Sequence, residues 1–378
     1  MLVLVAGNPD SARAFSGSAR HLCAAIEAAG MLHAKANVLG WTDPFHRGTL
    51  PMRLLRRLDR FGVEDAYRWS DWCFARNTAR ALRTAAQHPG FDACLMYGTT
   101  FLPRLNRPTY CYFDATVAQV AGGAGWEFAG FSPQTVARLH AYQGRVFAQC
   151  AAVTPRTQWA ADSVIADYGV PPGKVTPVGA GANYLGTPPE HGPYDTRTIL
   201  FVGSEWARKG GPLLLEAFRR VRARVPGARL RIVGSAPPVA EPGVEVVGRI
   251  DKDAPGGLER LLAEYAQASV FCMMSTFEPF GIVVLEAQQC GVPCVLPDAF
   301  AFPEMVRHGE TGSLVPPGDA EALADALCEL LGDPTRLAAM GAAARRWVAE
   351  RWTWAHAAAR LRARIEADLQ AVGKDAAN

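Results

Sequence analysis

The chain has 378 residues, of which 49% are hydrophobic and 20% are charged, and its formal net charge is +3. This length exceeds that of one ordinary domain and supplies apolar material for two hydrophobic cores. The small charge excess argues against a nucleic-acid partner and suits an anionic substrate. We therefore expect a globular protein of two domains.

The N-terminus has no basic segment and too short an apolar run for a signal peptide. No stretch approaches the roughly 18 apolar residues that cross a bilayer. The sequence therefore predicts a cytoplasmic protein.

The first half of the chain alternates strand and helix patterns. Residues 2–6 form a predicted strand, and the Gly- and Ser-rich segment 7–18 leads into a predicted helix at 19–29. Further strands are predicted at 93–97, 108–113 and 151–154, with amphipathic helices between them. This alternation indicates a parallel sheet covered by helices on both faces.

Nine cysteines are scattered along the chain, mostly inside apolar runs and without paired C-x-x-C clusters. We expect buried free thiols in place of zinc sites or disulfides. Cys290 and Cys294 are the closest pair, and no second ligand pair accompanies them, so no metal site is predicted there.

The pattern starts again after a Pro- and Gly-rich segment at 183–197, which is the predicted linker. A strand is predicted at 198–202 and a helix from Pro212, followed by strands at 230–233, 244–247 and 269–273. Several of these strands end at a glycine. A loop can then pass close to a ligand at the carboxyl edge of the sheet, where open α/β sheets bind ligands.

Two glutamates flank a turn and a helix pattern in the stretch 278–286, EPFGIVVLE. Pro279 suits the first position of a helix predicted at 280–290, whose free N–H groups attract anions. Glu278 precedes that helix and Glu286 lies about two turns into it, so both carboxylates could accept hydrogen bonds from hydroxyls. A phosphate anchor between two hydroxyl acceptors fits a nucleotide sugar. The alternative is that Glu278 is a loop charge and Glu286 is a solvated helix residue.

The segments after this stretch make the pattern specific. A helix stop at Gly291 precedes a short predicted strand, and Pro303-Glu304 and the run 309–319, GETGSLVPPGD, follow. With the glutamate pair, these segments resemble the donor half of the family 4 retaining glycosyltransferases over about the last half of the chain.

The resemblance implies the GT-B fold, an α/β architecture of two Rossmann-like domains that face each other across a cleft. It implies an acceptor-binding domain at 1–185 and a domain that binds the nucleotide sugar at 186–354. The C-terminal helix, about 355–378, would cross back to the N-terminal domain.

The resemblance also implies a hexosyltransferase that moves a sugar from a UDP- or GDP-sugar to an acceptor hydroxyl. It implies retention of configuration and no metal or other cofactor. A glycan, a lipid-linked molecule and a small molecule all remain open as acceptors. The alternatives are a nucleotide-sugar 2-epimerase of the same architecture and a non-catalytic nucleotide-binding protein.

Cations and glycines follow the strand at 198–202 in the stretch 203–210, GSEWARKG. Arg208 and Lys209 can neutralise a diphosphate at a helix start, and a solvated basic turn is the alternative. Lys209-Gly210 match the family motif, but Ser204 stands where the family usually has arginine. Arg208 is expected to supply the missing charge.

The resemblance implies catalytic roles for Glu278, Lys209 and Asp114. Asp114 occupies the place where many family members have a histidine near the reacting sugar, and capping of the next helix is its alternative role. Gly17 would approach the donor phosphates, and Arg249 and Ile250 would line the base. The implied donor-binding residues are Gly17, Ser204, Arg208, Lys209, Arg249, Ile250, Glu278, Phe280, Gly281, Ile282 and Glu286, and none is a metal ligand.

Two polar segments are predicted to be solvated. The run 251–253, DKD, formally matches the Asp-x-Asp of metal-dependent glycosyltransferases, but it follows Gly248 in a polar loop without further ligands. A second segment suggests peripheral contact with the inner face of a membrane, or with an anionic acceptor, although a solvated helix face is favoured. It carries Arg53, Arg56, Arg57 and Arg60, interleaved with Leu54, Leu55, Leu58 and Phe61.

Overall fold

The computed structural model describes residues 1–11, 14–38, 69–123, 128, 130–184 and 186–375. The chain forms two compact units: unit 1 is Met1–Ala180 with Trp354–Asn378, and unit 2 is Gly181–Thr353. The boundaries predicted from sequence lie a few residues from these. The basic segment at 53–60 lies outside the described residues, so its contact with a membrane stays a hypothesis.

Unit 1 contains a parallel sheet in the order β2-β1-β3-β4-β5. The strands are β1 Leu2–Val5, β2 Ala34–Asn37, β3 Cys94–Tyr97, β4 Thr109–Tyr112 and β5 Ala152–Val153. The four strands predicted here are confirmed to within one residue at each end, because each is a buried run. Strand β2 lacks such a run and was missed.

Helices cover this sheet, and polar side chains begin most of them. They are α1 Ser18–Ala28, α2 Asp71–Gln87, α3 Val117–Gly122, α4 Pro133–Gln149 and α5 Gln158–Tyr168. A short 3₁₀ helix lies at Pro172–Lys174, and Ala14–Gly17 form a turn before α1. The caps of α2 to α5 are Ser70, Thr116, Ser132 and Thr157, each of which accepts a hydrogen bond from a backbone N–H of the first turn.

Unit 2 contains a second parallel sheet in the order β11-β10-β9-β6-β7-β8. Its strands are β6 Thr198–Val202, β7 Arg229–Val233, β8 Val244–Gly248, β9 Val270–Cys272, β10 Cys294–Pro297 and β11 Gly312–Val315. The strands predicted at 198–202, 230–233, 244–247 and 269–273 are confirmed to within one residue at each end.

In the described part of unit 2, five of the six strands are each followed by a helix, and β7 is the exception. The helices are α6 Gly211–Arg224, α7 Gly257–Ala266, α8 Ile282–Gln289, α9 Phe302–Met305, α10 Ala320–Leu331 and α11 Pro334–Arg351, with a 3₁₀ helix at Tyr194–Thr196. The predicted start of α8 at Pro279 is wrong. Gly281 precedes the helix in the left-handed conformation, with φ 75°, so helical geometry begins at Ile282. Glu286 is therefore only the fifth residue of α8.

The last helix, α12 Trp354–Asp375, belongs to unit 1, which confirms the expected return of the chain to the first unit. The rings of His21 on α1 and Trp354 stack with centroids 6.5 Å apart. Arg360 also donates a hydrogen bond to the carbonyl of Val178 at 3.2 Å. None of the helices in the described part of the chain has the length and apolar character needed to cross a membrane.

The segment 183–197 is not a free linker in its described part. Tyr194 donates a hydrogen bond to the carbonyl of Gly291 at 2.7 Å, and an imidazole nitrogen of His191 lies 2.9 Å from the carbonyl oxygen of Ala268. Tyr184 is buried, with its hydroxyl 3.7 Å from the sulfur of Cys290. Proline and glycine interrupt periodicity here, but the aromatic rings attach the segment to unit 2.

The order of the strands fixes where unit 2 can bind a ligand. The chain enters this sheet at β6, continues to β7 and β8 on one side, and returns to β9 on the other side. The loops after β6 and β9 therefore leave the carboxyl edge in opposite directions. A reversal of this kind opens a crevice that binds ligands in open α/β sheets.

All nine cysteines are free thiols, as expected from their scattered positions, and all except Cys328 are buried. Burial raises the pKa of Cys290 to about 11, so this thiol stays protonated at neutral pH.

Candidate functional site

The loops after β6 and β9 are joined by hydrogen bonds at the crevice. The backbone N–H of Thr276 donates to the carbonyl of Arg208 at 2.9 Å, and the Thr276 hydroxyl donates to the same oxygen at 3.2 Å. These hydrogen bonds hold together residues that are widely separated in sequence.

Glu278 is a buried carboxylate between two cations. It is only 7% exposed, and its Oε2 accepts hydrogen bonds from Lys209 Nζ at 2.7 Å and Arg208 Nη1 at 3.4 Å. Burial opposes ionisation, but Lys209 and then Arg208 outweigh it and hold the pKa of Glu278 below its usual range. Glu278 is therefore an ionised acceptor at neutral pH, and it is a buried, paired charge in its loop and not a solvated one.

Close backbone packing explains the glycines around Lys209. A Cβ on Gly203 would lie 2.4 Å from Lys209 Cδ, so the lysine stem passes directly over this glycine. Gly210 has φ 75°, and a Cβ there would lie 1.8 Å from the carbonyl oxygen of Met274. Glycine at 203 therefore leaves room for the Lys209 side chain to reach Glu278. Glycine at 210 lets the chain pass close to Met274 just before α6 begins.

Arg208 is shared between two carboxylates. Its Nε donates to Glu205 at 3.0 Å, and Nη1 donates to the carbonyl of Phe277 at 2.9 Å as well as to Glu278. Ser204 is exposed directly after Gly203. The Arg208 guanidinium therefore lies beside Lys209, as expected. That Arg208 takes the role of the arginine that the family has in place of Ser204 stays a prediction.

The start of α8 is fixed by packing on its inner side. A Cβ on Gly281 would lie 2.8 Å from the ring of Phe302, and the left-handed φ of Gly281 also favours glycine. Phe280 is buried, with its ring centroid 5.8 Å from that of Trp352. Because its ring is buried, Phe280 could contact a nucleotide-sugar donor only through its backbone. Ile282 is half-buried at the first position of α8.

Glu286 is enclosed by two hydrogen-bond donors. It is 1% exposed, and its Oε1 accepts from Lys252 Nζ at 2.7 Å while Oε2 accepts from the Tyr265 hydroxyl at 3.1 Å. Burial, and next the carboxylate of Glu286, raise the pKa of Tyr265 well above its usual value, so its hydroxyl keeps the proton and donates. The alternative that Glu286 is a solvated helix residue is wrong.

The prediction that the run 251–253 is merely solvated is wrong for Lys252, which pairs with Glu286. Sequence reasoning missed both Lys252 and Tyr265, which are separated from Glu286 by 34 and 21 residues. A lysine in a polar loop and a tyrosine on a helix have no local sequence pattern that predicts contact with a distant carboxylate. Only the return of the chain to β9 brings them together.

The loop after β8 contains the two residues expected at the base. Arg249 is exposed and Ile250 is half-buried. Within residues 1–11, 14–38, 69–123, 128, 130–184 and 186–375, no three or more His, Cys, Asp and Glu side chains form a group that could hold a metal.

In unit 1, Gly17 precedes α1 with φ 86°, after Phe15 and Ser16 with φ 51° and 56°. Positive φ at two consecutive non-glycine residues is uncommon and marks a strained turn. The ring of Phe15 lies over Tyr97, with centroids 4.6 Å apart. This turn follows β1, at the carboxyl edge of the unit 1 sheet.

Asp114 follows β4 at the same edge and forms an ion pair with Arg156 at 3.6 Å. Arg156 is 5% exposed, its guanidinium lies over the ring of Tyr112 at 5.4 Å, and it also bonds the Tyr97 hydroxyl. The alternative that Asp114 caps the next helix is wrong, because Thr116 is the cap of α3. Its contact with the reacting sugar stays a prediction.

Comparison with known proteins decides the family of unit 2. Residues 196–333 match the family described as Glycosyl transferases group 1. Unit 2 is a group 1 glycosyltransferase domain. This match contains β6, β9 and α8, and with them the Lys209–Glu278 pair.

Curated relatives are similar to this chain over part of their length. A GDP-mannose-dependent alpha-(1-6)-phosphatidylinositol monomannoside mannosyltransferase of Mycolicibacterium smegmatis is 38% identical over 181 residues, which cover 44% of this chain and 47% of that protein. A D-inositol 3-phosphate glycosyltransferase of Thermobispora bispora is 35% identical over 219 residues, 51% of this chain and 50% of that protein. The chain thus spans about half the length of these relatives.

Solved structures match nearly all of this chain. Sucrose-phosphate synthase from Thermosynechococcus elongatus has a TM-score of 0.70 at 20% identity and covers 98% of this chain and 99% of its own. Anabaena HepE in complex with UDP and glucose has a TM-score of 0.63 at 17% identity, with 97% and 100% covered. These similarities confirm the α/β fold with two parallel sheets, of the GT-B class.

Proposed function

We propose that this protein is a hexosyltransferase that moves a sugar from a nucleotide-diphosphate sugar to an acceptor hydroxyl. The observation that carries the proposal is the Lys209–Glu278 ion pair, 2.7 Å long, in the crevice between β6 and β9 of a group 1 unit. A cation and an ionised carboxylate beside a helix start suit a ligand that has both phosphates and hydroxyls.

The side chains of unit 2 support a division of roles. Lys209 and Arg208 would stabilise the negative charge that develops on the departing diphosphate, which is the largest demand in this reaction. Glu278 would accept a hydrogen bond from a hydroxyl of the transferred sugar, and Glu286 would hold the ribose. For Gly17 and Asp114 of unit 1, the family resemblance implies contacts with the donor phosphates and with the transferred sugar, respectively.

The relatives guide the choice of donor and acceptor. GDP-mannose stands in the name of the first relative, and UDP is bound in the HepE structure, so GDP-mannose is the first donor to test and UDP-glucose the second. The name of the first curated relative includes phosphatidylinositol monomannoside, and that of the second includes D-inositol 3-phosphate. Inositol phosphates and inositol lipids therefore lead the acceptor panel.

The purified protein is expected to bind GDP or UDP in calorimetric titration. It is also expected to release free nucleoside diphosphate from the matching donor faster when an acceptor of the panel is present, because transfer needs both substrates. Interconversion of the donor sugar without an acceptor, and without net release of nucleoside diphosphate, would indicate the epimerase. Binding without turnover of any donor would indicate a non-catalytic nucleotide-binding protein, and no binding would contradict the proposal.

Retention of configuration is part of the proposal and comes from the family resemblance. The anomeric signals of the product, measured by NMR, report this configuration, because the glycoside formed with the acceptor hydroxyl does not mutarotate.

Transfer is expected to be independent of metal ions, since Lys209, Arg208 and the N–H groups at the start of α8 supply the positive charge that Mg²⁺ provides elsewhere. Rates with excess EDTA should lie within about twofold of rates with added Mg²⁺. Complete loss of transfer in EDTA that Mg²⁺ or Mn²⁺ restores would contradict this prediction and would direct attention to Asp251 and Asp253.

A further inference from the structure

Glu286 cannot meet a ligand in the arrangement that the structure shows. Its carboxylate is 1% exposed, with Lys252 bonded to one oxygen and Tyr265 to the other. The proposed function requires this carboxylate to accept hydrogen bonds from ribose. One of its two protein partners must therefore give way when a nucleotide binds.

The two partners differ in their freedom to move. Tyr265 lies on α7 and is 0% exposed, so its ring is held by the surrounding core. Lys252 lies in the loop between β8 and α7, and its side chain is 32% exposed. A lysine ammonium is strongly hydrated and is carried by four flexible methylenes, so it can return to water by rotating its side chain alone.

The backbone of this loop is held in place. The N–H of Ala254 donates to the carbonyl of Asp251 at 3.1 Å, and the N–H of Gly257 donates to that of Ala254 at 2.9 Å. A Cβ on Gly257 would lie 1.9 Å from the Asp251 carbonyl oxygen, so the loop packs tightly on the start of α7. Release of Glu286 therefore needs movement of the lysine side chain and not of the loop.

We propose that Lys252 is a specificity-determining residue, whose ammonium gives Glu286 the hydrogen bond that a ribose hydroxyl replaces when a nucleotide binds. The proposal rests on the proposed function of unit 2. A ribonucleotide brings a hydroxyl donor and can displace the ammonium. A nucleotide without ribose hydroxyls has nothing to offer the carboxylate, so the ion pair stays closed.

The exchange has a thermodynamic consequence that separates the two kinds of nucleotide. Binding of a ribonucleotide gains hydrogen bonds to Glu286, but part of that gain is offset by the lost Lys252–Glu286 pair. Binding of a dideoxynucleotide leaves the pair intact. Removal of the lysine should therefore strengthen only the binding of the ribonucleotide.

The test is calorimetric titration of the full chain with GDP and with 2′,3′-dideoxy-GDP, and with the corresponding pair of uridine nucleotides. Lys252→Ala should bind the ribonucleotide roughly 3- to 10-fold more tightly than the unaltered protein, as expected for loss of a competing, half-exposed ion pair. Its affinity for the dideoxynucleotide should stay within about twofold. Lys252→Met keeps the aliphatic stem and replaces this variant if it does not fold.

Arg231→Ala is the matched control. Arg231 forms a half-exposed ion pair with Glu264 in the same unit, 2.7 Å long, and touches neither Glu286 nor Lys252 in any contact of the structure. It should change neither affinity. Weaker ribonucleotide binding by Lys252→Ala, or an equal change for both nucleotides, would overturn the proposal, whereas absence of all nucleotide binding by the unaltered protein would contradict the proposed function itself.

Discussion

Glu278→Gln is expected to lower the turnover number by about 100-fold, the size of effect seen when one transition-state hydrogen bond is removed. The affinity for free nucleoside diphosphate should be retained or become a few-fold tighter, because Lys209 and Arg208 lose the carboxylate that now neutralises them. A residue that acts as the sugar bond breaks affects turnover more than ground-state binding. Steady-state kinetics together with calorimetry of the bare nucleotide separate these two effects.

Glu205→Gln is the control for this variant. Glu205 also pairs with Arg208, but its side chain is 46% exposed and it bonds Nε and Nη2 of the guanidinium, whereas Glu278 bonds Nη1. Its turnover should stay within about twofold of the unaltered protein, since exposed ion pairs contribute little. Equal losses in the two variants would show that charge around Arg208, and not the carboxylate of Glu278, is what turnover requires.

Glu286→Ala is expected to weaken donor binding by roughly 10- to 150-fold, because a charge-assisted hydrogen bond typically contributes about 1.5–3 kcal/mol. The substitution also leaves the buried Tyr265 hydroxyl without its acceptor, which should lower the free energy of unfolding by about 1–3 kcal/mol. Calorimetric titration measures the first effect, and denaturant unfolding with and without nucleotide measures the second.

Glu264→Ala separates the loss of a binding group from the loss of stability. Glu264 is also a mostly buried carboxylate of unit 2, with its side chain 11% exposed and paired with Arg231. It should lower stability without weakening nucleotide binding. If Glu278→Gln and Glu286→Ala both bind nucleotide and turn over donor like the unaltered protein, the roles assigned to the glutamate pair are wrong.

The sequence carried enough information to predict most of both sheets. Strand β6 matches its predicted range, because five buried apolar or β-branched residues end at Gly203. The positions of Lys209 and the glutamate pair in the sequence also predicted that this cation and both carboxylates belong to the same unit. These features depend on local patterns of side chains and on glycine, which a single sequence displays directly.

The remaining features depend on contacts between distant segments. Gly281 reads equally well as a residue inside a helix or before it, and only its packing against Phe302 selects the left-handed conformation. The pairing of Lys252 with Glu286 requires the loop after β8 to meet α8, which no local pattern encodes. Burial of the two glutamates likewise follows from the strand order and not from their neighbours in sequence.

The parallel arrangement of unit 2 also separates the positions that tolerate engineering from those that do not. Lys209, Lys252 and Glu278 follow β6, β8 and β9, whereas the turn at Pro226 and Gly227 enters β7 from the opposite edge and is exposed. A peptide tag or a fluorescent domain inserted at this turn would leave the whole carboxyl edge untouched. The architecture thus gives the molecule a surface for attachment that is independent of its chemistry.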